Sequence, residues 1–112
     1  MSDHDHHHHD HSHDTHPHQL QPPHEVFHDE KAGELVRAWI TQGHLSLSLN
    51  AMAFGKAVVW GHVLAGMAEQ VAASIAEMGH GTTAGNLEEI RKNLTADLAK
   101  AAAKHSPLSV KP

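Results

Sequence analysis

The sequence predicts an α+β protein, in which an N-terminal β-hairpin is followed by two amphipathic helices. Three observations support this fold class. Apolar and polar residues alternate on both sides of the tetrapeptide TQGH, an apolar period of three to four residues runs from about residue 56 to 78, and a second such period follows the segment GHGTTAG. The remaining feature is the opening stretch MSDHDHHHHDHSHDTHPH, in which half of the residues are histidine.

The 112 residues divide by composition into three segments. Residues 1–28 are polar and interrupted by prolines, so they bury too little apolar surface to offset chain entropy and are expected to be a disordered tail. Residues 29–105 form the α+β domain, and residues 106–112 a C-terminal tail. About eighty folding residues lie near the lower limit for one core, and without cysteine no disulfide supports it. We therefore expect either oligomerisation or a bound metal to add stability.

The hairpin consists of ELVRAWI and LSLSLN, with Gly43 supplying the positive φ that a tight turn needs. If Gln42 and Gly43 form the turn, one face is wholly apolar, with the pairs Ile40 and Leu45, Ala38 and Leu47, and Val36 and Leu49. The opposite, outer face then carries Trp39 with Ser46, Arg37 with Ser48, and Leu35 with Asn50. We expect the apolar face to be core.

A two-stranded sheet is marginal in water and leaves two edges unpaired. We therefore expect the hairpins of two copies to pair edge to edge. This arrangement gives a homodimer with a four-stranded antiparallel sheet and with helices on one face.

The first helix is expected from about Lys56 to Met78. Its core stripe is Trp60, Val63, Leu64, Met67, Val71, Ile75 and Met78. A stripe of small residues, Gly61, Ala65, Ala68, Ala72 and Ala76, lies beside it and would admit either the second helix or a partner subunit. The second helix is expected to begin with Asn86 as N-cap and Glu89 three residues later, and its apolar stripe is Leu87, Ile90, Leu94 and Leu98.

Residues 34–73 resemble a short bacterial family, domain of unknown function family 5076. The resemblance rests on an Arg-x-Trp pair in the first strand, an aromatic residue after the second strand and a Trp-Gly pair that opens the helix, here Arg37, Trp39, Phe54, Trp60 and Gly61. Family members often carry an acidic residue and a proline before this helix, where this chain has Gly55 and Lys56. The resemblance implies a small α+β fold and no particular chemistry. The His-rich start and the helix from Asn86 to His105 lie outside the resemblance, and we expect them to be additions of this chain.

The His-rich segment predicts metal binding, because imidazole nitrogens and carboxylates are ligands for zinc, nickel and other divalent transition ions. The candidate ligands are His4, His6, His7, His8, His9, His11, His13, His16, His18 and Asp10. A flexible tract without a folded second shell binds Zn or Ni weakly and exchangeably. His24 and His28 either extend this ligand set or are solvated linker residues. An idle solvated tail and an artificial affinity tag remain open alternatives.

The outer sheet face is the second candidate site. Arg37, Trp39, Ser46 and Ser48 share it, and an exposed tryptophan beside an arginine is typical of interface anchors. The alternatives are dimer packing, a covering tail or a small-ligand site. The sequence thus supports a protein whose His/Asp tail binds or buffers divalent metals, or a protein interaction module in which that tail is incidental. The module would dock its partner on this outer face or on the small-residue stripe of the first helix. A ligand-binding domain that uses the outer face is a third hypothesis.

Composition and motifs argue against other classes. With Cys and Tyr absent, no G-x-S-x-G context and no phosphate-binding glycine loop, we expect the protein not to be an enzyme. Eight scattered Lys and Arg residues form no basic patch, so nucleic acid is an unexpected partner. Charged residues interrupt the longest apolar stretch, and no basic region precedes an apolar run at the N-terminus; we therefore expect no membrane partner and a cytoplasmic protein.

Overall fold

The computed structural model describes residues 15–106. A 3-10 helix, His24–His28, precedes strands β1 (Val36–Thr41) and β2 (His44–Leu49), and a second 3-10 helix, Ala51–Ala53, precedes helices α1 (Ala57–Glu77) and α2 (Thr83–His105). The predicted α+β class, a hairpin followed by two helices, is confirmed. The chain divides after Leu49 into two compact units, called here the hairpin unit and the helical unit. The limits of the three predicted segments stay a prediction.

The hairpin has the predicted register. β1 and β2 pair antiparallel in a two-stranded sheet, with Ala38 opposite Leu47 and Trp39 opposite Ser46. Gln42 and Gly43 have φ values of 53° and 81°, the two positive values that a type I′ turn requires. Glycine adopts such a φ without steric cost, whereas glutamine does so only because the strands on both sides fix the turn.

The start of α1 explains two of the residues that carry the family resemblance. The indole N–H of Trp60 donates a hydrogen bond to the carbonyl of Ala51 at 3.1 Å. The ring of Phe54 meets the Trp60 ring edge-on, with centroids 5.6 Å apart. Gly55 turns the chain between them with φ 72°. The aromatic residue and the tryptophan therefore hold the second 3-10 helix against the first turns of α1.

The helical unit is an antiparallel pair that packs through small side chains. α1 and α2 contact one another, and Ala72 at 0% exposure is the single buried residue among residues 15–106. Ala68 and Ala76, one turn away on either side, are half-buried. Of the two occupants that the small-residue stripe would admit, the second helix is therefore the one that lies there.

The stripe predicted to be the core of α1 is largely uncovered. Most of its large residues remain exposed, namely Leu64, Met67, Val71, Ile75 and Met78. The prediction that this stripe forms the core of the chain is wrong for a single copy, because α2 packs on the neighbouring alanines instead. Both helices therefore retain apolar side chains that only a further surface could cover.

The predicted N-cap of α2 is also wrong. The N-cap lies four residues earlier than expected, at Thr82, whose side chain accepts a hydrogen bond from the Gly85 backbone N–H at 3.0 Å. Asn86 instead lies within α2, where its side-chain amide donates to the carbonyls of Ala72 at 3.2 Å and His80 at 3.0 Å. Asn86 thus ties the start of α2 to α1 and to the connecting loop.

An ion pair forms on the first turns of α2. The Arg91 guanidinium donates to both carboxylate oxygens of Glu88. This hydrogen bond, together with the positive charges of Arg91 and Lys92, lowers the pKa of Glu88 below its ordinary value. Glu88 also suits the positive end of the helix dipole, so this pair reinforces the new helix start.

Candidate functional site

The four residues predicted to form an interaction face do lie on one side of the hairpin. Trp39 is opposite Ser46 and Arg37 is opposite Ser48. The Arg37 guanidinium donates to both Glu34 carboxylate oxygens, at 3.0 and 3.1 Å, and the Ser46 and Thr41 hydroxyls share a hydrogen bond. Three of these four residues are half-buried, and Ser48 is exposed.

This outer face is half-covered by the chain that precedes it. The His16 ring meets the Trp39 ring edge-on, with centroids 5.0 Å apart. Residues 18–23 line one side of a shallow groove of about 230 Å³, and Glu34 with residues 36–39 lines the other. Pro23 has φ −57° and ψ 147°, the polyproline II conformation that packs well against aromatic rings. A covering segment, one of the alternatives that the sequence left open, therefore occupies the outer face.

The opposite face of the hairpin is the more exposed one, against expectation. Ile40 is 71% exposed, Leu47 51%, and Leu45 and Leu49 lie between these values. They form one surface because alternate residues of paired strands point to the same side, with Val36 and Ala38 completing it. The prediction that this face is core is wrong for the chain by itself. It is an uncharged apolar surface.

Most of the predicted metal ligands, His4, His6, His7, His8, His9, His11, His13 and Asp10, lie outside the described residues. His16 and His18 are described, and their rings lie 5.4 Å apart. The Nδ1 atom of His16 accepts a hydrogen bond from the backbone N–H of His18 at 3.1 Å. Across residues 15–106, no three His, Cys, Asp or Glu side chains form a group that could hold a metal ion.

A second histidine pair has a closer geometry. His24 and His28 are the first and last residues of the N-terminal 3-10 helix. Their Nε2 atoms lie 3.2 Å apart, their ring centroids 4.9 Å apart, and their ring planes are inclined by 64°. Since the centroids are farther apart than the nitrogens, the Nε2 edges face one another. The i, i+4 spacing was the available sequence signal, but only the helical turn brings the two rings together.

The family comparison decides where this chain belongs. The family described as Domain of unknown function (DUF5076) matches residues 19–102. The chain belongs to this family. The match extends the resemblance beyond residues 34–73 in both directions and includes most of α2, so the expectation that this helix is an addition of the chain is wrong.

A solved structure also resembles the chain. It is described as "Structure of a putative pyruvate dehydrogenase from the photosynthetic bacterium Rhodopseudomonas palustrus CGA009". The two chains are 33% identical in sequence and superpose with a TM-score of 0.60. The alignment covers 75% of this chain and 86% of the chain in that structure. No curated protein matches the chain. In the described part of the chain, no helix is long and apolar enough to cross a bilayer.

Proposed function

We propose that this protein is a non-catalytic interaction module that works as a homodimer, with the apolar face of the hairpin buried between copies. The observation that carries the proposal is the exposure of Ile40, Leu45, Leu47 and Leu49 on one sheet face. Contiguous apolar surface of this kind, free of charge, marks an interface in soluble proteins. This face takes the place of the outer face around Arg37 and Trp39, which the preceding chain half-covers.

A second copy is the occupant that the hairpin itself favours. A two-stranded sheet is marginal alone, so its stability requires further pairing or cover. Proteins protect exposed edge strands with charges, prolines or bulges, yet β2 (HLSLSL) has no proline and no Asp, Glu, Lys or Arg. β1, by contrast, carries the ion-paired Arg37. We therefore place β2 of each copy at the two-fold axis, where the two hairpins form one four-stranded antiparallel sheet. Its joined apolar face is then covered by helices of the partner copy, whose apolar side chains are also exposed in a single chain.

The name of the similar structure suggests dehydrogenase activity as an alternative. The described residues of this chain favour a non-catalytic role instead. A catalytic site needs concave, water-excluding walls and side chains held in place by burial. Among residues 15–106 the single buried residue is an alanine, and the groove beside Trp39 is smaller than a typical ligand pocket. These features are typical of a surface that binds another protein.

The experiment measures the dimer dissociation constant by sedimentation equilibrium for the wild type, Leu47→Gln and Ser48→Gln. Burying a whole leucine contributes about 2 kcal/mol, so covering the exposed 51% of Leu47 contributes about 1 kcal/mol per copy and about 2 kcal/mol per dimer. Leu47→Gln should therefore weaken the dimer roughly 30-fold. Ser48→Gln, the exposed neighbour on the outer face, should change it less than threefold.

Two outcomes would contradict the proposal. One is a wild-type chain that stays monomeric at about 100 µM, a concentration at which a specific dimer with an interface of ordinary size is expected to form. The other is an equal effect of the two substitutions. Far-ultraviolet circular dichroism of each variant shows whether the helices persist, so that unfolding is not mistaken for dissociation.

Metal buffering is the second candidate function. It rests on the nine histidines within residues 4–18. Zinc and nickel would bind weakly and exchangeably, more weakly as the pH falls through the imidazole range. Calorimetry of the full chain and of a variant with those nine histidines changed to glutamine tests this function. Equal metal stoichiometry in both proteins would refute it.

A further inference from the structure

We infer that His24 and His28 form the two-ligand nucleus of a binding site for a divalent transition metal ion. This site depends on neither proposal above, because it uses two described side chains that lie outside both the apolar sheet face and the tract of residues 4–18. Both residues are exposed, so an ion can reach them without any rearrangement of packed side chains.

The distance between the two nitrogens is the first argument. Zinc lies 2.0–2.1 Å from a histidine nitrogen, and two ligands of a tetrahedral ion are therefore about 3.3 Å apart. The Nε2 atoms of His24 and His28 are 3.2 Å apart. An ion placed at bonding distance from one nitrogen can thus be at bonding distance from the other.

The orientation of the rings is the second argument. The centroids are 4.9 Å apart, 1.7 Å more than the nitrogens, so the two Nε2 edges converge on the space between the rings. Rings stacked face to face would bring the centroids together and direct the lone pairs away from one another. Converging lone pairs are the arrangement that a chelated ion requires.

The fold maintains this arrangement before an ion arrives. The 3-10 helix fixes the spacing of its end residues, with Val26 N–H donating to the Pro23 carbonyl and Asp29 N–H to the Val26 carbonyl. Without metal, one neutral imidazole can donate its Nε2 proton to the other. Binding needs the donating ring to exchange its proton from Nε2 to Nδ1 through solvent, so that both rings stay neutral and both Nε2 lone pairs face the ion. The ligand pair therefore pays little ordering entropy on binding.

The chemistry of the pair selects the class of ion. Two neutral imidazoles suit Zn²⁺, Ni²⁺, Cu²⁺ and Co²⁺, whereas Mg²⁺ and Ca²⁺ prefer oxygen ligands. Two side chains leave coordination positions for water, so the ion remains exchangeable. The net charge of −5 at pH 7, with histidines neutral, attracts cations to the chain.

The test follows imidazole ¹⁵N chemical shifts of the full chain by NMR during titration with Zn²⁺ at pH 7.5, a pH about one unit above the unperturbed histidine pKa. His44 and His62 are exposed histidines of the same chain and serve as internal references. Every site in one sample meets the same free Zn²⁺ concentration. The histidines of residues 4–18 therefore change the total zinc required but leave the ratio of midpoints unchanged.

We expect His24 and His28 to share one midpoint, at a free Zn²⁺ concentration at least about tenfold below that of His44 and His62. In His24→Gln, the His28 midpoint should rise to that of the references, whereas in His44→Gln it should not move. A common midpoint for all four histidines would overturn the inference. So would a His28 midpoint that changes less than threefold in His24→Gln. Because His24 and His44 are both exposed, neither substitution threatens the fold, and backbone amide spectra verify this.

Discussion

Asn86 holds the two helices of the helical unit together, and its removal should show this. Its side-chain amide donates to the carbonyls of Ala72 in α1 and His80 in the connecting loop. Each such bond contributes about 0.5–1.5 kcal/mol net, so Asn86→Ala should lower the free energy of unfolding by about 1–3 kcal/mol. At a fixed protein concentration this corresponds to a fall in Tm on the order of 10 °C for a domain of this size.

The matched control is Asn93→Ala on the same helix. The Asn93 amide donates to the Glu89 carbonyl four residues earlier, so this bond joins α2 only to itself. Urea unfolding followed by circular dichroism at 222 nm measures both variants. We expect Asn93→Ala to cost less than about 0.5 kcal/mol, as exposed substitutions usually do. Equal losses in the two variants would refute the claim that Asn86 couples α1 to α2.

Four further substitutions test the start of α2, the loop before it and the interior of α1. Thr82→Ala should lower the free energy of unfolding in urea by about 1 kcal/mol, because it removes the N-cap of α2. An unchanged free energy of unfolding would show that Thr82 does not cap this helix. Gly81 has φ +75°, and a Cβ there would lie 2.8 Å from the Asn86 Oδ1 atom. Gly81→Ala should therefore lower the free energy of unfolding by more than about 1 kcal/mol, roughly the cost of a left-handed φ for alanine. Gly66→Ala, in the open interior of α1, should instead stabilise by about 0.5–1 kcal/mol. Because folding lowers the pKa of Glu88, its ionised carboxylate stabilises the fold at any pH above its pKa in the unfolded chain. This contribution is lost as the pH falls through the pKa of Glu88 in the folded chain. Glu88→Gln should therefore lose stability at pH 7 but match the wild type at pH 2.

The local structure of the hairpin could be predicted from sequence because two independent signals agree. Strict alternation fixes which side chains share a face, and Gln42 with Gly43 fixes the turn, so only one register satisfies both. The first helix follows in the same way from its apolar period, and its observed limits, Ala57–Glu77, differ from the prediction by one residue at each end.

What covers each apolar face could not be predicted, because alternation and periodicity state which residues are neighbours and not what lies against them. The leucines of β2 alternate as core residues do, yet they remain exposed. Trp39 on the outer face instead contacts the ring of His16. Asn86 has the pattern of an N-cap, but its partner at Ala72 lies fourteen residues away and belongs to tertiary structure. The His24 and His28 pair likewise needs the observed helical turn before its spacing acquires chemical meaning.

The most direct test of the proposed dimer is an isotope-filtered NOE experiment on an equimolar mixture of ¹³C-labelled and unlabelled full chain. Only contacts between copies give signals in that sample. The proposed dimer predicts intermolecular NOEs from the methyl groups of Leu45 and Leu47, because both leucines lie on the hairpin face that is exposed in a single copy. Leucine methyls with intrachain NOEs alone would contradict it.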